Sequence, residues 1–304
     1  MIQARRRGAG EAAVITMGFY ASVNGEITPA EQARVSVLDN GFTFGDGVYE
    51  TLRTYGGRPF HRDRHLERLR RSARRLRIAL PDADDAITGD LDRVLQRSAN
   101  PESYIRIIVT RGVGDISYHF ERIEGPTVVI LVKPLAPLPA AYHRDGVPVI
   151  LSAVRRNHPR ALDPGIKACN LLNNIMAAQE AQERGAFEPV LLNETGEVAE
   201  AASANVFLVK DGVVITPPLE AGILPGVTRQ LVIDQARAAS VTVREEPVAV
   251  TDLLAADEVF LTSTLKEVLP VATIDGRAVG AGGPGPVTLR LLAEFREYAA
   301  AYAG

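Results

Sequence analysis

The chain has 304 residues, of which 46% are hydrophobic and 23% are charged, with a formal net charge of −3. These values are typical of a soluble globular protein large enough for two cores, and the charge balance does not indicate a nucleic-acid or membrane-surface partner. Cys169 is the sole cysteine of the sequence, which excludes an internal disulfide framework and leads us to expect a reducing, cytoplasmic compartment. No apolar run approaches the roughly 18 residues of a membrane-spanning helix, so none is expected.

The first 16 residues are predicted to be a disordered extension, with the folded chain opening at Met17. This extension has a basic cluster at 5–7 but no apolar stretch adequate for a secretory signal. The sequence leaves open whether Met1 or Met17 is the true start.

Residues 17–133 are predicted to form a small α+β domain of antiparallel strands with two helices. The helices are predicted over 63–80 and 85–98, from apolar residues at three- and four-residue spacing, with strands over 104–111 and 127–132. Before the first helix, the segment 39–55 holds three glycines and four aromatic residues. It is either a tight turn into a strand or the wall of a pocket, and its composition does not decide between the two.

The helix at 63–80 carries seven arginines, most of which are expected on a solvated face. Arg68 lies beside the apolar positions Leu66 and Leu69 and is the arginine most able to point inward. A buried guanidinium needs an anion, and its forked shape suits a phosphate group. His61 and His65 lack the carboxylate pattern of a metal site, so no metal is predicted.

The proline-rich segment 134–146 is predicted to be an extended, semi-rigid linker to a larger mixed α/β domain at 147–304. In that domain a glycine-rich turn opens a helix near Val227 and Thr228, whose first free N–H groups can receive an anion. Ser263 and Thr264 add two hydroxyl groups at the end of a predicted strand. Each signal is weak alone, since many helices begin with a turn and a threonine.

A covalent amine catalyst has few candidates here, because the sequence contains only four lysines. Lys133 precedes a proline at the linker, Lys210 precedes a hairpin turn, and Lys266 lies two residues beyond the candidate phosphate hydroxyls. Lys167 remains, at the mouth of an amphipathic helix and 33 positions before Glu200. The alternative is a surface lysine, although a helix N-terminus disfavours a cation.

These groups together match the needs of pyridoxal 5′-phosphate. Its aldehyde needs an amine for a Schiff base, its pyridine nitrogen needs a carboxylate partner, and its phosphate needs charge-assisted donors. Lys167 can supply the amine and Glu200 the carboxylate, while Arg68, the helix start at 226–228 and Thr264 can supply the donors.

Six ordered motifs point to one family. They are G-D-G-V-Y-E at 45–50, R-H-L-E-R-L at 64–69, G-I-K-x-x-N at 165–170, V-x-E-x-x-x-x-N-x-F at 198–207, I-L-P-G-V-T-R at 223–229 and A-D-E-V-F-L-T-S-T at 256–264. Through them the chain resembles the fold-type IV, or class IV, pyridoxal-phosphate aminotransferases over nearly all of 18–304. The resemblance implies a two-domain fold, a homodimer, and ping-pong transamination between an amino acid and a 2-oxo acid such as 2-oxoglutarate.

The resemblance also implies residue roles. Lys167 matches the Schiff-base lysine that shuttles the proton, and Glu200 matches the partner of the pyridine nitrogen. The implied phosphate site consists of Arg68, Val227, Thr228, Ser263 and Thr264. The implied substrate site consists of Phe44, Tyr49, Tyr104, Arg106, Tyr118, Thr262 and Ser263.

The substrate is expected to be an L-branched-chain amino acid, because the run from Tyr104 through Asp115 resembles bacterial and archaeal branched-chain enzymes. Leu171, where those enzymes often have an aromatic residue, is more like the D-amino-acid aminotransferases. Yet the loop at 116–118 lacks the arginine and histidine of the D-amino-acid enzymes, and the arginine of the aminodeoxychorismate lyases. D-amino-acid or (R)-amine transamination, and the lyase reaction, therefore stay as alternatives.

Overall fold

A computed structural model describes residues 18–80, 84–119 and 122–303 of the chain. The predicted extension at 1–16 and Met17 lie outside the described residues. None of the helices within these ranges is long and apolar enough to cross a membrane.

The first half of the chain builds a fully antiparallel six-stranded sheet in the order β2-β1-β6-β5-β3-β4. Its strands are β1 (Tyr20–Val23), β2 (Glu26–Pro29), β3 (Gly47–Tyr55), β4 (Arg58–Pro59), β5 (Ser103–Thr110) and β6 (Thr127–Pro134). Burial alternates along β3 and β5, so one face of the sheet packs on the core while the other faces the rest of the molecule.

The second half builds a nine-stranded mixed sheet in the order β12-β11-β10-β13-β14-β7-β8-β9, with β15 paired to β14. Its strands are β7 (Val147–Leu151), β8 (Glu188–Leu192), β9 (Val198–Ala201), β10 (Asn205–Lys210), β11 (Val213–Thr216), β12 (Val243–Glu245), β13 (Glu258–Ser263), β14 (Glu267–Ile274) and β15 (Arg277–Ala278). The central strands β8 and β9 are buried along their whole length, and β10 and β13 at all but their last residue, as expected for strands covered on both faces.

Nine helices accompany the two sheets within the described residues. They are α1 (Asn40–Phe44), α2 (Arg62–Leu76), α3 (Asp84–Ser98), α4 (Ala140–Asp145), α5 (Pro159–Leu162), α6 (Leu172–Glu183), α7 (Val227–Ala238), α8 (Val250–Leu254) and α9 (Pro286–Ala303). Two short 3-10 turns lie at Ala30–Gln32 and Leu219–Ala221.

Two sequence-based predictions about helices were wrong in detail. The helix predicted over 63–80 ends at Leu76, because Arg77 adopts a left-handed conformation with φ of 54°. The linker predicted to be extended over 134–146 contains α4, because its prolines stop at Pro139 and the following residues can form a helical turn. The boundaries 17–133, 134–146 and 147–304 stay a prediction.

An ionic cluster joins the two sheets beside the turn between β13 and β14. The Glu267 carboxylate accepts hydrogen bonds from Arg53 at 3.2 Å, Tyr55 at 2.9 Å and Arg296 at 2.8 Å. Glu267 itself has a φ of 58°, a conformation that costs free energy in a residue with a Cβ. The three donors come from β3 and α9, so they hold this turn of the second sheet against the first.

Candidate active site

A cavity of about 270 Å³ lies where the two sheets meet, and residues of both halves line it. Among the predicted site residues, the lining includes Tyr49, Arg68, Tyr104, Arg106, Lys167, Glu200, Val227, Thr228, Thr262, Ser263 and Thr264. Phe44 and Tyr118 are not among the described residues that line the cavity. Their rings pack on each other with centroids 5.5 Å apart, and Tyr118 is 84% exposed.

Lys167 lies in the segment before α6, and the edge of β3 fixes its backbone. The Tyr49 N–H donates to the Lys167 carbonyl at 2.9 Å, and the Cys169 N–H donates to the Gly47 carbonyl at 2.8 Å. The Lys167 N–H donates to Ser72 Oγ of α2 at 3.2 Å. In the chain, Lys167 lies between β7 and β8 of the second sheet. Its backbone hydrogen bonds, however, are to β3 of the first sheet and to α2.

The Lys167 amine has an unusually low affinity for its proton. Burial, followed by the positive charge of Arg68, lowers its pKa to about 8, while Glu50 and Glu200 oppose the shift. Its Nζ lies 4.6 Å from the centroid of the Tyr49 ring. A lysine with this pKa is partly neutral near physiological pH, as a nucleophilic or proton-accepting amine must be.

Glu200 is a buried carboxylate on β9, 4% exposed, with three hydrogen-bond donors. Arg156 Nε donates to one oxygen at 2.8 Å, and the Leu224 N–H and Asn205 Nδ2 donate to the other at 3.0 and 3.3 Å. Burial raises the pKa of Glu200, and the Arg156 guanidinium opposes the rise. Sequence reasoning missed Arg156, since nothing in the pair Arg155-Arg156 indicates which of the two points inward.

Arg68 is 4% exposed, and its main partner is a second residue that sequence reasoning missed. Its Nε and Nη2 donate to the two oxygens of Glu50 at 2.7 and 2.8 Å, and its Nη1 donates to the Pro225 carbonyl at 2.9 Å. His65 Nδ1 lies 2.7 Å from the same carboxylate. The anion that this inward arginine needs for its own burial is thus Glu50 of β3.

The start of α7 faces the same cavity. Its N-cap residue is Gly226, which has no side chain to accept a hydrogen bond. The first N–H groups of the helix, at Val227 and Thr228, therefore have no partner within the helix. A Cβ at position 226 would lie 2.1 Å from Asn205 Oδ1, so only glycine allows this close approach. Nearby, the hydroxyl of Thr262 is buried without a hydrogen-bond partner among the described residues.

This donor set fits pyridoxal 5′-phosphate. The cavity combines an amine of lowered pKa, a buried carboxylate and the unpaired N–H groups at the start of α7. The unpartnered Thr262 hydroxyl and the uncapped α7 terminus are polar groups that a bound ligand would satisfy.

Comparisons with known proteins agree with this geometry. The profile of the family described as amino-transferase class IV matches residues 47–274. A provisionally named branched-chain-amino-acid aminotransferase of Methanocaldococcus jannaschii is 37% identical over 275 residues, covering 90% of this chain and 94% of its own. The D-alanine aminotransferase of Bacillus licheniformis is 36% identical over 265 residues, covering 87% of this chain and 92% of its own.

A solved structure with its cofactor shares the whole fold. The branched-chain amino acid aminotransferase of Thermobaculum terrenum, in its holo form with pyridoxal phosphate, superposes with a TM-score of 0.83 at 29% identity, covering 93% of this chain and 94% of its own. This confirms the predicted two-domain fold of the fold-type IV enzymes. The chain therefore belongs to the class IV aminotransferases, and it is a pyridoxal 5′-phosphate-dependent enzyme that transfers amino groups between amino acids and 2-oxo acids.

Proposed function

We propose that the donor is an L-branched-chain amino acid and that the acceptor is 2-oxoglutarate. The observation that supports this is the mixed character of the cavity wall. Arg106 stacks over the Tyr49 ring at 4.2 Å, and no carboxylate of the described residues pairs with it. Apolar side chains line the same cavity, including Leu162, Ile166 and Leu171. A pocket with both features can accept an aliphatic side chain in one half-reaction and a second carboxylate in the other.

The proposed roles of the remaining residues follow from their contacts. When bound, the cofactor supplies the aldehyde that takes the amino group and the ring that withdraws electrons from the Cα–H bond. Lys167 Nζ would hold the cofactor by its aldehyde and, as the amine of lowered pKa, would act as the base that takes the substrate α-proton and as the acid that gives it back. Glu200, held by Arg156, would face the pyridine nitrogen and favour its protonated form. Arg68, Val227, Thr228, Ser263 and Thr264 are proposed to hold the phosphate.

Transamination of D-amino acids is the second candidate. Leu171 lines the cavity, and the Bacillus licheniformis relative, 36% identical, is a D-alanine aminotransferase. Against it, the loop at 116–118 contains Ile116, Ser117 and Tyr118, so it offers no cation to a substrate carboxylate. (R)-amine transamination and aminodeoxychorismate lyase activity follow the same cofactor chemistry but lack a supporting contact.

Half-reaction spectra test the proposal. Purified holoenzyme is mixed separately with L-leucine, D-alanine and (R)-1-phenylethylamine, and the loss of the cofactor's visible absorbance is followed. We expect L-leucine to react fastest, and 2-oxoglutarate to restore the absorbance. Faster reaction with D-alanine would replace the branched-chain assignment with the second candidate, and pyruvate release from aminodeoxychorismate without an acceptor would indicate the lyase.

We propose further that the enzyme is a cytoplasmic homodimer. Large apolar side chains are exposed on this chain at Val37, Phe42 and Ile116, each 70%, and at Tyr118, 84%. Exposed apolar groups gathered in the segment 35–42 and the loop at 111–119 are typical of a protein interface. In the proposed dimer, the pair Phe44 and Tyr118 borders the cavity of the partner subunit.

Analytical ultracentrifugation tests the dimer. At micromolar concentration it is expected to give twice the mass of one chain, and a monomer would contradict the proposal.

A further inference from the structure

The connection between β11 and α7 reaches two parts of the cofactor site. It covers residues 217–226, and its last residues line the cavity together with the start of α7. The Leu224 N–H donates to Glu200 at 3.0 Å, and the Pro225 carbonyl accepts from Arg68 at 2.9 Å. Two neighbouring backbone groups thus contact the carboxylate proposed for the pyridine nitrogen and the arginine proposed for the phosphate.

Arg229, in the first turn of α7, closes this connection. Its side chain is 2% exposed, and its Nη2 donates to the Pro217 carbonyl at 2.9 Å and to Glu245 of β12 at 3.0 Å. Pro217 opens the connection, and Arg229 lies just beyond its far end, so one side chain ties the two ends together. A segment whose ends are tied loses conformational freedom, which favours a single arrangement of the residues within it.

The middle of the connection is packed against β9. Ala221 and Ile223 form a small buried cluster with Ala199, which directly precedes Glu200 on that strand. The connection is therefore held at its ends by Arg229 and in its middle by apolar contacts. Its remaining residues have their backbone groups directed at the site.

Stability alone does not explain a buried arginine at this place. Arg229 Nε is buried without a hydrogen-bond partner among the described residues. Glu245 is 33% exposed and also accepts from Arg237 at 3.1 Å. A partly satisfied guanidinium that shares its carboxylate costs desolvation free energy, and an apolar side chain of similar volume is often equally stable. The contact that only Arg229 makes is the one with the Pro217 carbonyl.

We propose that Arg229 is a positioning residue of the cofactor site. By closing the connection, it holds the Leu224 N–H at Glu200 and, at the next residue, the Pro225 carbonyl at Arg68. Arg229 acts through these backbone groups and is not among the described residues that line the cavity. This inference rests on the proposed function for the roles of Glu200 and Arg68 toward the cofactor.

Hydrogen exchange of backbone amides, in the full-length holoenzyme and apoprotein, tests the closure directly. Arg229→Met removes both hydrogen bonds and leaves Glu245 with Arg237 and solvent, so no buried charge is left unpaired. We expect the amides of 219–226 to exchange about tenfold faster or more, while those of β13 and β14 are unchanged. Arg237→Met is the control, because Arg237 pairs with the same carboxylate from the same helix but its side chain is 51% exposed.

Binding of pyridoxamine 5′-phosphate and of pyridoxamine to the apoprotein, measured by calorimetry, reports the effect on the site. Neither ligand has an aldehyde, so Lys167 forms no bond with it. We expect Arg229→Met to weaken the phosphorylated ligand about tenfold and pyridoxamine about threefold, because only the first uses the phosphate donors as well as Glu200. Arg229→Lys keeps an N–H donor for the Pro217 carbonyl, and both affinities should stay within about threefold.

A structural role alone predicts a different pattern. Arg229→Met would then unfold at a lower denaturant concentration, yet the exchange over 219–226 and the affinities for both ligands would match those of the unchanged protein. That result would overturn the inference. Arg229→Gln keeps a polar side chain at this place, and the same measurements on it decide the question if Arg229→Met does not fold.

Glu200→Gln separates this inference from the roles proposed for the site. If that variant binds pyridoxamine as well as the unchanged protein does, the role of Glu200 fails, whereas faster exchange over 219–226 in Arg229→Met still supports closure by Arg229. Neither measurement uses an amino-acid substrate, so the result does not depend on which donor the enzyme accepts.

Discussion

Lys167→Ala is expected to lower the transamination rate by about 10⁴-fold or more, the largest effect of any single change in this chain. The variant loses the amine that we propose links to the cofactor and moves the α-proton, and general acid–base catalysis alone contributes about 10²–10⁴-fold. Borohydride should fix the cofactor on Lys167 of the unchanged protein and nowhere on the variant. Steady-state kinetics and peptide mass spectrometry measure the two effects.

Lys133→Ala is the matched control for that experiment, because Lys133 stacks on Tyr104 at 4.9 Å but is an exposed residue at the end of β6. Its rate should stay within a few-fold of the unchanged enzyme. Glu200→Gln is expected to lower the transamination rate by roughly 10²–10³-fold, which lies between the effects of Lys133→Ala and Lys167→Ala. A neutral amide cannot stabilise a proton on the pyridine nitrogen by charge. Comparable turnover in Lys167→Ala would exclude Lys167 as the catalytic amine.

The pH dependence of cofactor capture gives an independent check on Lys167. The neutral amine is the reactive form, and its pKa of about 8 predicts that the rate at which apoprotein takes up cofactor rises with pH and levels off above that value. If the pKa of Lys167 were that of an ordinary lysine, the rate of cofactor uptake would rise at a pH more than two units higher.

Arg68→Ala is expected to have the largest effect on stability, about 3–5 kcal/mol in the apoprotein. Glu50 is fully buried, and the variant leaves its charge with His65 alone. Burial lowers the pKa of His65, so that histidine is a poor replacement for the guanidinium. Chemical denaturation of the apoprotein measures the loss, with Arg74→Ala on the exposed face of α2 as a control that should change stability by less than about 0.5 kcal/mol.

The same substitution is expected to weaken the cofactor about tenfold to a hundredfold, since a charged donor to the phosphate is lost. The double variant Arg68→Ala/Glu50→Gln separates the two effects. It should recover part of the stability, because no buried charge is left unpaired, but not the cofactor affinity. Equal recovery of both quantities would show that Arg68 supports the fold and does not contact the phosphate.

Short sequence motifs were sufficient to predict several of the residues that line the cavity. Lys167, Glu200 and the start of α7 each lie in a local pattern whose spacing fixes the side chain relative to a turn or helix end. The ionic partners were not predictable in this way. Glu50 is 18 positions from Arg68, and the two meet because α2 packs on β3. Arg156, in the segment after β7, is 44 positions from Glu200 on β9, and the two meet only through the folding of the second sheet.

The contacts of Lys266 were not predictable either. Its place two residues beyond Thr264 makes it a poor candidate for the covalent amine, and its partners Ser203 and Glu188 are 63 and 78 positions away. The linker shows a similar limit: three prolines favour an extended chain, but they do not constrain the six residues of α4 that follow them.

The attachment of Lys167 to β3 has a consequence for how the enzyme can fail. The amine is fixed to one sheet, whereas Glu200 and the α7 terminus belong to the other, so the reacting groups keep their spacing only while the two sheets stay in register. The ion pair between Arg53 of β3 and Glu267 of β14 is one of the contacts that hold the two sheets in this register. A change at this contact is therefore expected to lower the activity without altering any residue that lines the cavity.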